Sequence, residues 1–341
     1  MDEDHVALMG APGSPYTRKM LAVLRYRRIP YRYLTAAQAA AEGMPVPRVP
    51  LLPTFYLPGD AGALEAVTDS TPLIRRFEAE RPGRSVIPTD PALAFIDELI
   101  EDYADEWLTK PMFHYRWTRA ADIDRAGRIL PLWRNQQIDD DTLEGLAASI
   151  SERQISRLGF VGSNPVTGPI IEAGYQRFLA ALEAHLVLQP FLLGRRPGAG
   201  DFAVFGQLSQ LAMFDPTPME LSLRVAPRVF AWASLMDDRS GLEPQHDDWV
   251  SLGAAPATLK GILSEIGRVY PPVMLANARA LAEGAGEVEA EVDGRPWRQA
   301  PFPYQAKCLR WLRESYSRLA SDARAQVDAL LAGTGCENLI A

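Results

Sequence analysis

Cysteine is nearly missing from these 341 residues: only Cys308 and Cys336 occur, near the C-terminal end and without metal-ligand spacing. Two such residues make neither a disulfide framework nor a zinc site, so no metal is expected. No apolar run approaches the roughly 18 residues of a membrane span. The opening 1-MDEDH-5 is acidic where a secretory signal would be basic, so the expectation is a cytoplasmic protein without a membrane partner. Positive charge is also short. Lys and Arg number 35 against 43 Asp and Glu, and the net charge of -8 argues against a nucleic-acid partner. No internal repeat and no low-complexity block is found.

What is present is a soluble, globular composition, 47% hydrophobic and 23% charged. The length suggests about two domains, at roughly 150 residues each. Residues 6–12 read as a strand, 14–28 as a helix, and 29-IPYRYL-34 as a second strand ended by 36-AAQAAAEG-43. The Pro-rich 45-PVPRVPLLP-53 leads into 54-TFYL-57, the turn 58-PGDAG-62 and 64-LEAV-67, an antiparallel hairpin. Then 69-DSTPLIRRFEAE-80 carries a helix start: polar capping residues, Pro in the first turn, apolar Leu73, Ile74 and Phe77. The order is β-α-β followed by β-β-α. After the Pro- and Gly-rich 81-RPGRSVIPTD-90 the periodicity turns helical, with candidates at 91–120, 168–186, 198–213 and 227–238. Residues 121–166 read as partly irregular. Beyond 240 come helices near 256–268 and 271–283, a hairpin 287-EVEAEVDGRPWRQ-299 with Asp-Gly at its turn, and a helix over 304–332.

The chemistry begins at 14-SPYT-17. Ser14 before Pro15 is a sound N-cap, because the hydroxyl accepts a free backbone N–H and Pro at N1 loses nothing. The same helix start favours negative charge, and a thiol held there would ionise more readily. Both readings stand on the residues alone. Pro53, ahead of 54-TFYL-57, is either a turn proline or a cis proline that leaves the backbone of Leu52 free to pair with an extended peptide; Pro50 competes for the cis bond. Asp69 and Ser70 are either a solvated acid and a cap, or a holder for carboxylate and ammonium. Arg18 and Lys19 are either a phosphate clamp or, as is more usual, a solvated face or partners of an acid, and His114 is either an acceptor-pocket residue or, as is more usual, part of a helical aromatic core stripe. The acids 97-DE-98 and 101-ED-102, with no matching His, read as a solvated face.

In this order the motifs resemble the glutathione transferase superfamily in its serine-type classes, over residues 5–240. The resemblance implies a thioredoxin-like α+β N-terminal domain (1–82), a linker (83–90), and an all-α helical-bundle domain (91–240). The extension (241–341) matches no family motif and is expected to pack on the helical domain. It also implies glutathione as co-substrate, with Ser14 activating the thiol, Leu52 and Pro53 orienting the tripeptide, and Asp69 with Ser70 holding its γ-glutamyl end. The segment 197-PGAGDFAVFGQL-208 is similar to the family's capping and staple segment, with Asp201 at N3, and 103-YADEWLTKPMFHYRW-117 to its first all-α helix. The 10-GAPG-13 loop with Met112, Phe113, Tyr115 and Arg116 would then form the acceptor pocket. The implied reaction is attack of glutathione thiolate on a small apolar electrophile, in a homodimer.

Four positions depart from the family pattern. Asp69 stands where Glu or Gln is usual, Gly198 where Ser or Thr caps the buried helix, and Met9 where tyrosine-type classes carry tyrosine; 14-SPYT-17 contains no Cys for mixed-disulfide chemistry. Two other functions remain open: a non-catalytic binding or scaffold protein using this fold, and a glutathione-dependent lyase or dehalogenase.

Overall fold

The first strand forms over Val6–Met9 (β1) and is followed by α1 (Pro15–Tyr26), β2 (Tyr31–Leu34), α2 (Ala36–Ala41), β3 (Thr54–Pro58), β4 (Leu64–Val67) and α3 (Ser70–Glu80). The computed structural model describes residues 5–59 and 62–341; residues 1–4 of the acidic opening and residues 60 and 61 of the expected turn lie outside the described residues. The sheet runs β2-β1-β3-β4. β1 is parallel to β2, with Leu8 opposite Tyr33, and antiparallel to β3, with Leu8 opposite Phe55. One face of the sheet buries Leu8 and Phe55 against Leu24 of α1 and Phe77 of α3, inside a core that continues into the helical domain. This is a thioredoxin-like domain with a mixed four-stranded sheet.

The helical domain opens with α4 (Pro91–Tyr103), a π-helical segment (Ala104–Leu108) and α5 (Thr109–Thr118). These lie where one uninterrupted helix is expected. The extra residue of a π turn rotates everything after it by about 100°. There follow α6 (Ala120–Leu132), α7 (Asp140–Ile155), a 3-10 turn (Leu158–Val161), α8 (Gly168–His185), α9 (Ala199–Leu211), α10 (Pro216–Val225) and α11 (Pro227–Met236). Most of the region read as irregular is therefore helical. α7 has no buried residue, so it shows no apolar face to read.

α9 is buried along its whole length and packs across α1. Gly206 makes that approach possible, because a Cβ there would stand 2.6 Å from the Pro15 carbonyl oxygen. The start of α9 is satisfied from outside its own sequence. Asp97 of α4 accepts the N–H groups of Ala199 and Gly200, each at 3.0 Å. Any side chain at Gly198 would meet Asp97, with a Cβ 2.3 Å from Oδ1, so the missing Ser or Thr cap is replaced by a carboxylate from another helix.

In the extension, α12 (Ala257–Glu283) runs unbroken through Pro271 and Pro272, where two helices are expected. Proline forfeits a helix hydrogen bond, but Tyr270 and Val273 on either side are buried, and that packing keeps the helix whole. The hairpin is β5 (Val288–Val292) with β6 (Arg295–Gln299), turning at Asp293 and Gly294 with φ of 53° and 70°. These positive values are what a two-residue Asp-Gly turn requires. The last helix divides into α13 (Pro303–Ser317) and α14 (Ser321–Leu331), which pack on α4, and the chain end seats on α12 at Gly267.

Candidate active site

Ser14 has extended backbone (φ -96°, ψ 119°) just before α1, and its hydroxyl accepts the Thr17 N–H at 3.2 Å. The cap is thus in place. The same hydroxyl donates to the Leu52 carbonyl at 3.4 Å, and the Leu52–Pro53 bond is cis. The loop before Ser14 is braced from the helical domain: Arg116 donates to the Gly13 carbonyl and Gln210 to that of Pro12.

Asp69 precedes α3 with φ of 83°, uncommon for a residue bearing a side chain. It does not cap α3. Its carboxylate accepts the Tyr304 hydroxyl from α13 at 2.7 Å. Ser70 accepts Lys19 Nζ at 3.2 Å. Lys19 is wholly buried and also reaches Glu101 at 2.8 Å and Asp105 at 2.6 Å. For Lys19, pairing with acids is the reading realised.

These residues meet at a cavity of about 480 Å³. The first domain contributes Tyr16, Leu52, Pro53, Asp69 and Ser70; α4 and the π segment contribute the acids; α13 contributes Tyr304, Gln305, Cys308 and Trp311. Tyr16 ties the walls together by donating to the Asp105 carbonyl at 2.8 Å. Ser14 sits beside the cavity, linked to it through Leu52.

Of the acids that read as a solvated face, Asp97 and Glu101 are buried, and Glu98 and Asp102 are half-buried at the cavity. Asp97 is 2% exposed at the α9 start, and Glu101 is 1% exposed, held by Lys19, Arg75 and the Thr71 hydroxyl. Asp102 accepts from Tyr270 and Glu98 from Ser315. Their partners come from α1, α3, α9, α12 and α13, which no local pattern reports. Burial, reinforced by Asp102 and Asp105, holds Glu106 up to about 8. Burial likewise holds Asp102 up to about 7 and raises Asp105, whereas the Lys19 and Arg75 cations overcome burial and lower Glu101. Burial depresses Lys110 to about 8. Burial and nearby acids push the Cys308 thiol far up, leaving it protonated.

The four residues expected to line an acceptor pocket lie elsewhere. Met112 and Tyr115 are core, Tyr115 against Tyr175; Phe113 stacks on Trp117; Arg116 is buried on Asp215 and Gln210. The cavity wall from this helix ends at Thr109 and Lys110, a turn short of these four residues; the π turn carries Glu106 and Lys110 onto the face that Glu98, Glu101, Asp102 and Asp105 already share. The 10-GAPG-13 loop is likewise outside the cavity wall. His114 is buried between Ser163 and Glu172. Asp105, Glu106, Tyr304 and Gln305 are the cavity residues that sequence reasoning passed over; Tyr304, just inside a Pro-started helix, had no visible link to Asp69.

Compared with known proteins, the sequence matches the family described as Glutathione S-transferase, N-terminal domain, over residues 8–85, and that described as Glutathione S-transferase, C-terminal domain, over residues 136–233. No curated protein matches it in sequence. Among solved structures it is similar to a glutathione transferase family member from Pseudomonas fluorescens Pf-5 with two glutathione bound, at 13% identity over 77% of this chain and 94% of that one, TM-score 0.43. It is similar to a glutathione S-transferase from Methylobacterium radiotolerans in complex with glutathione sulfonate, at 18% identity over 72% and 100% of the two chains, TM-score 0.41. The beta-etherase LigF from Sphingobium sp. strain SYK-6 is 16% identical over 69% and 95%, TM-score 0.45.

Proposed function

The chain belongs to the glutathione transferase superfamily, and on that premise we propose that it binds glutathione beside Ser14 and adds the thiolate to a small electrophile. The observation that carries this is one arrangement: Leu52, Pro53, Asp69 and Ser70 share one cavity wall, and the Ser14 hydroxyl joins it at Leu52. In the bound state the cysteinyl backbone pairs with Leu52, which releases the long Ser14 contact and leaves that hydroxyl to donate to sulfur. Stabilising the thiolate lowers the thiol pKa, and the proton leaves to solvent. Sulfur then bonds to the electrophilic carbon, whose leaving group departs with its electron pair. Asp69 takes the γ-glutamyl ammonium, and Ser70 with the first N–H groups of α3 takes its carboxylate.

Calorimetric titration of the purified chain with glutathione tests this. Binding between micromolar and millimolar, about 4 to 8 kcal/mol, is the expected result; no heat and no thermal shift at about 10 mM would overturn it. Pairing into a homodimer and a cytoplasmic setting belong to the same proposal, and light scattering checks the first.

A further inference from the structure

Six carboxylates line the cavity, Asp69, Glu98, Glu101, Asp102, Asp105 and Glu106, against one lining cation, Lys110. Several are answered from behind: Lys19 and Arg75 close on Glu101, Lys19 on Asp105 through Oδ2, and Tyr270 on Asp102. Two acceptors are left over. Asp105 Oδ1 and Gln305 Oε1 have no hydrogen-bond partner, although their residues are only 8% and 2% exposed. Lys110 sends its ammonium to the Val161 carbonyl and the Gln299 amide oxygen rather than to Glu106. Buried acceptors without a donor are costly, and here two elements, the π segment and α13, present them to one space. Tyr304 and Trp311, two rings of its wall, already hold a cation against them: Lys307 Nζ lies 4.1 Å from the Trp311 ring centre and 5.3 Å from that of Tyr304. Among the described residues no three acids, histidines or cysteines converge as a metal-ion shell, which leaves an organic cation.

We propose that the cavity binds an amphiphilic organic cation, its ammonium between Glu106, Asp105 and Gln305 and its apolar body along Leu51, Phe302 and Leu312. Binding of such a molecule stands apart from the thiol-transfer reading; its role as the acceptor in that reaction rests on it. The groups facing Glu106 set the pH response: Asp102, Asp105 and Lys110 from its own helix, Tyr16 from α1, Tyr270 from α12, and Tyr304, Gln305 and Cys308 from α13, with Lys19, Glu101 and Asp69 facing the adjoining Asp105. Burial keeps the Glu106 carboxyl protonated up to about pH 8. An arriving ammonium displaces that proton, so affinity rises with pH, by up to about tenfold per unit between 6 and 8.

The test is calorimetric titration of the full chain with 2-phenylethylamine, which stays protonated across this range, and with neutral 2-phenylethanol, at pH 6 and pH 8. The amine is expected to bind at least tenfold more tightly than the alcohol at pH 8, and at least tenfold more weakly at pH 6 than at pH 8. Glu106→Gln removes both differences, and Gln305→Met, which leaves every carboxylate in place, weakens the amine several-fold. Equal affinity for amine and alcohol in the wild type, or an amine preference that survives both substitutions, overturns the proposal. Glutathione titrated in parallel separates the two readings: an amine preference without glutathione binding sinks thiol transfer and leaves the cation site, and the reverse sinks the cation site alone.

Discussion

Ser14→Ala separates the two tasks assigned to one hydroxyl. The structural task is the cap: the alanine variant leaves the Thr17 N–H without its acceptor at 3.2 Å, a loss of about 0.5 to 2 kcal/mol. The contact to Leu52, at 3.4 Å, is too long to add much. The expected stability loss is therefore about 1 kcal/mol, read from denaturant unfolding. The chemical task has a different signature. A hydrogen bond to a charged group is worth about 1.5 to 3 kcal/mol, and at about 1.4 kcal/mol per pKa unit its loss raises the bound thiol's pKa by about 1 to 2 units. At neutral pH the thiolate fraction, and with it the conjugation rate, then falls by about an order of magnitude or more. The ultraviolet absorbance of bound thiolate against pH measures this directly. Superimposable curves for wild type and Ser14→Ala would refute the thiolate role and leave the cap.

Glu106→Gln also carries a stability signature: a carboxyl held up to about 8 in the fold, against about 4.3 unfolded, contributes stability fully present below about pH 4 and lost as pH rises to about 8. Wild type is expected to lose up to about 1.4 kcal/mol per pH unit more than the variant across that window, and parallel melting curves at pH 5 and pH 8 would contradict this. Asp97→Ala strips the buried Gly200 N–H of its acceptor, while the Ala199 N–H keeps the Val86 carbonyl, an expected cost of about 1 to 3 kcal/mol in denaturant unfolding; Asp97→Asn, with one oxygen kept, should recover part of it. Tyr304→Phe releases Asp69, so glutathione affinity should rise several-fold; an unchanged Kd would mean that the γ-glutamyl end does not compete for that carboxylate. Lys19→Met leaves Glu101 and Asp105 without their shared cation and should cost about 3 to 5 kcal/mol near neutral pH, less as acid protonates them.

The parts of the fold that were legible in the sequence are those whose cause is local. Ser14-Pro15 at a helix start, Asp-Gly at a hairpin and apolar spacing in α3 each follow from a few adjacent residues. Domain-scale recognition came from their order, not from any one of them. What the sequence hid depends on partners far along the chain. Asp97 and Glu101, at i,i+4 spacing, look like a solvated face until α9 arrives at one and Lys19 and Arg75 at the other. Gly198 looks like a weakened cap until Asp97 is seen in the place of its missing side chain. The four residues expected at an acceptor pocket do not line this cavity. Met112, Phe113, Tyr115 and Arg116 lie beyond Thr109 and Lys110, the last residues of this helix to reach the cavity, while the π turn at Ala104–Leu108 brings Glu106 onto the face that Asp105 already holds. One inserted residue thus adds Glu106 to an acidic face that regular helical spacing already forms. The extension then closes that wall with Tyr304, Gln305 and Trp311, so the chemistry of the cavity is set jointly by a helix irregularity and by a segment with no counterpart in the matched domains.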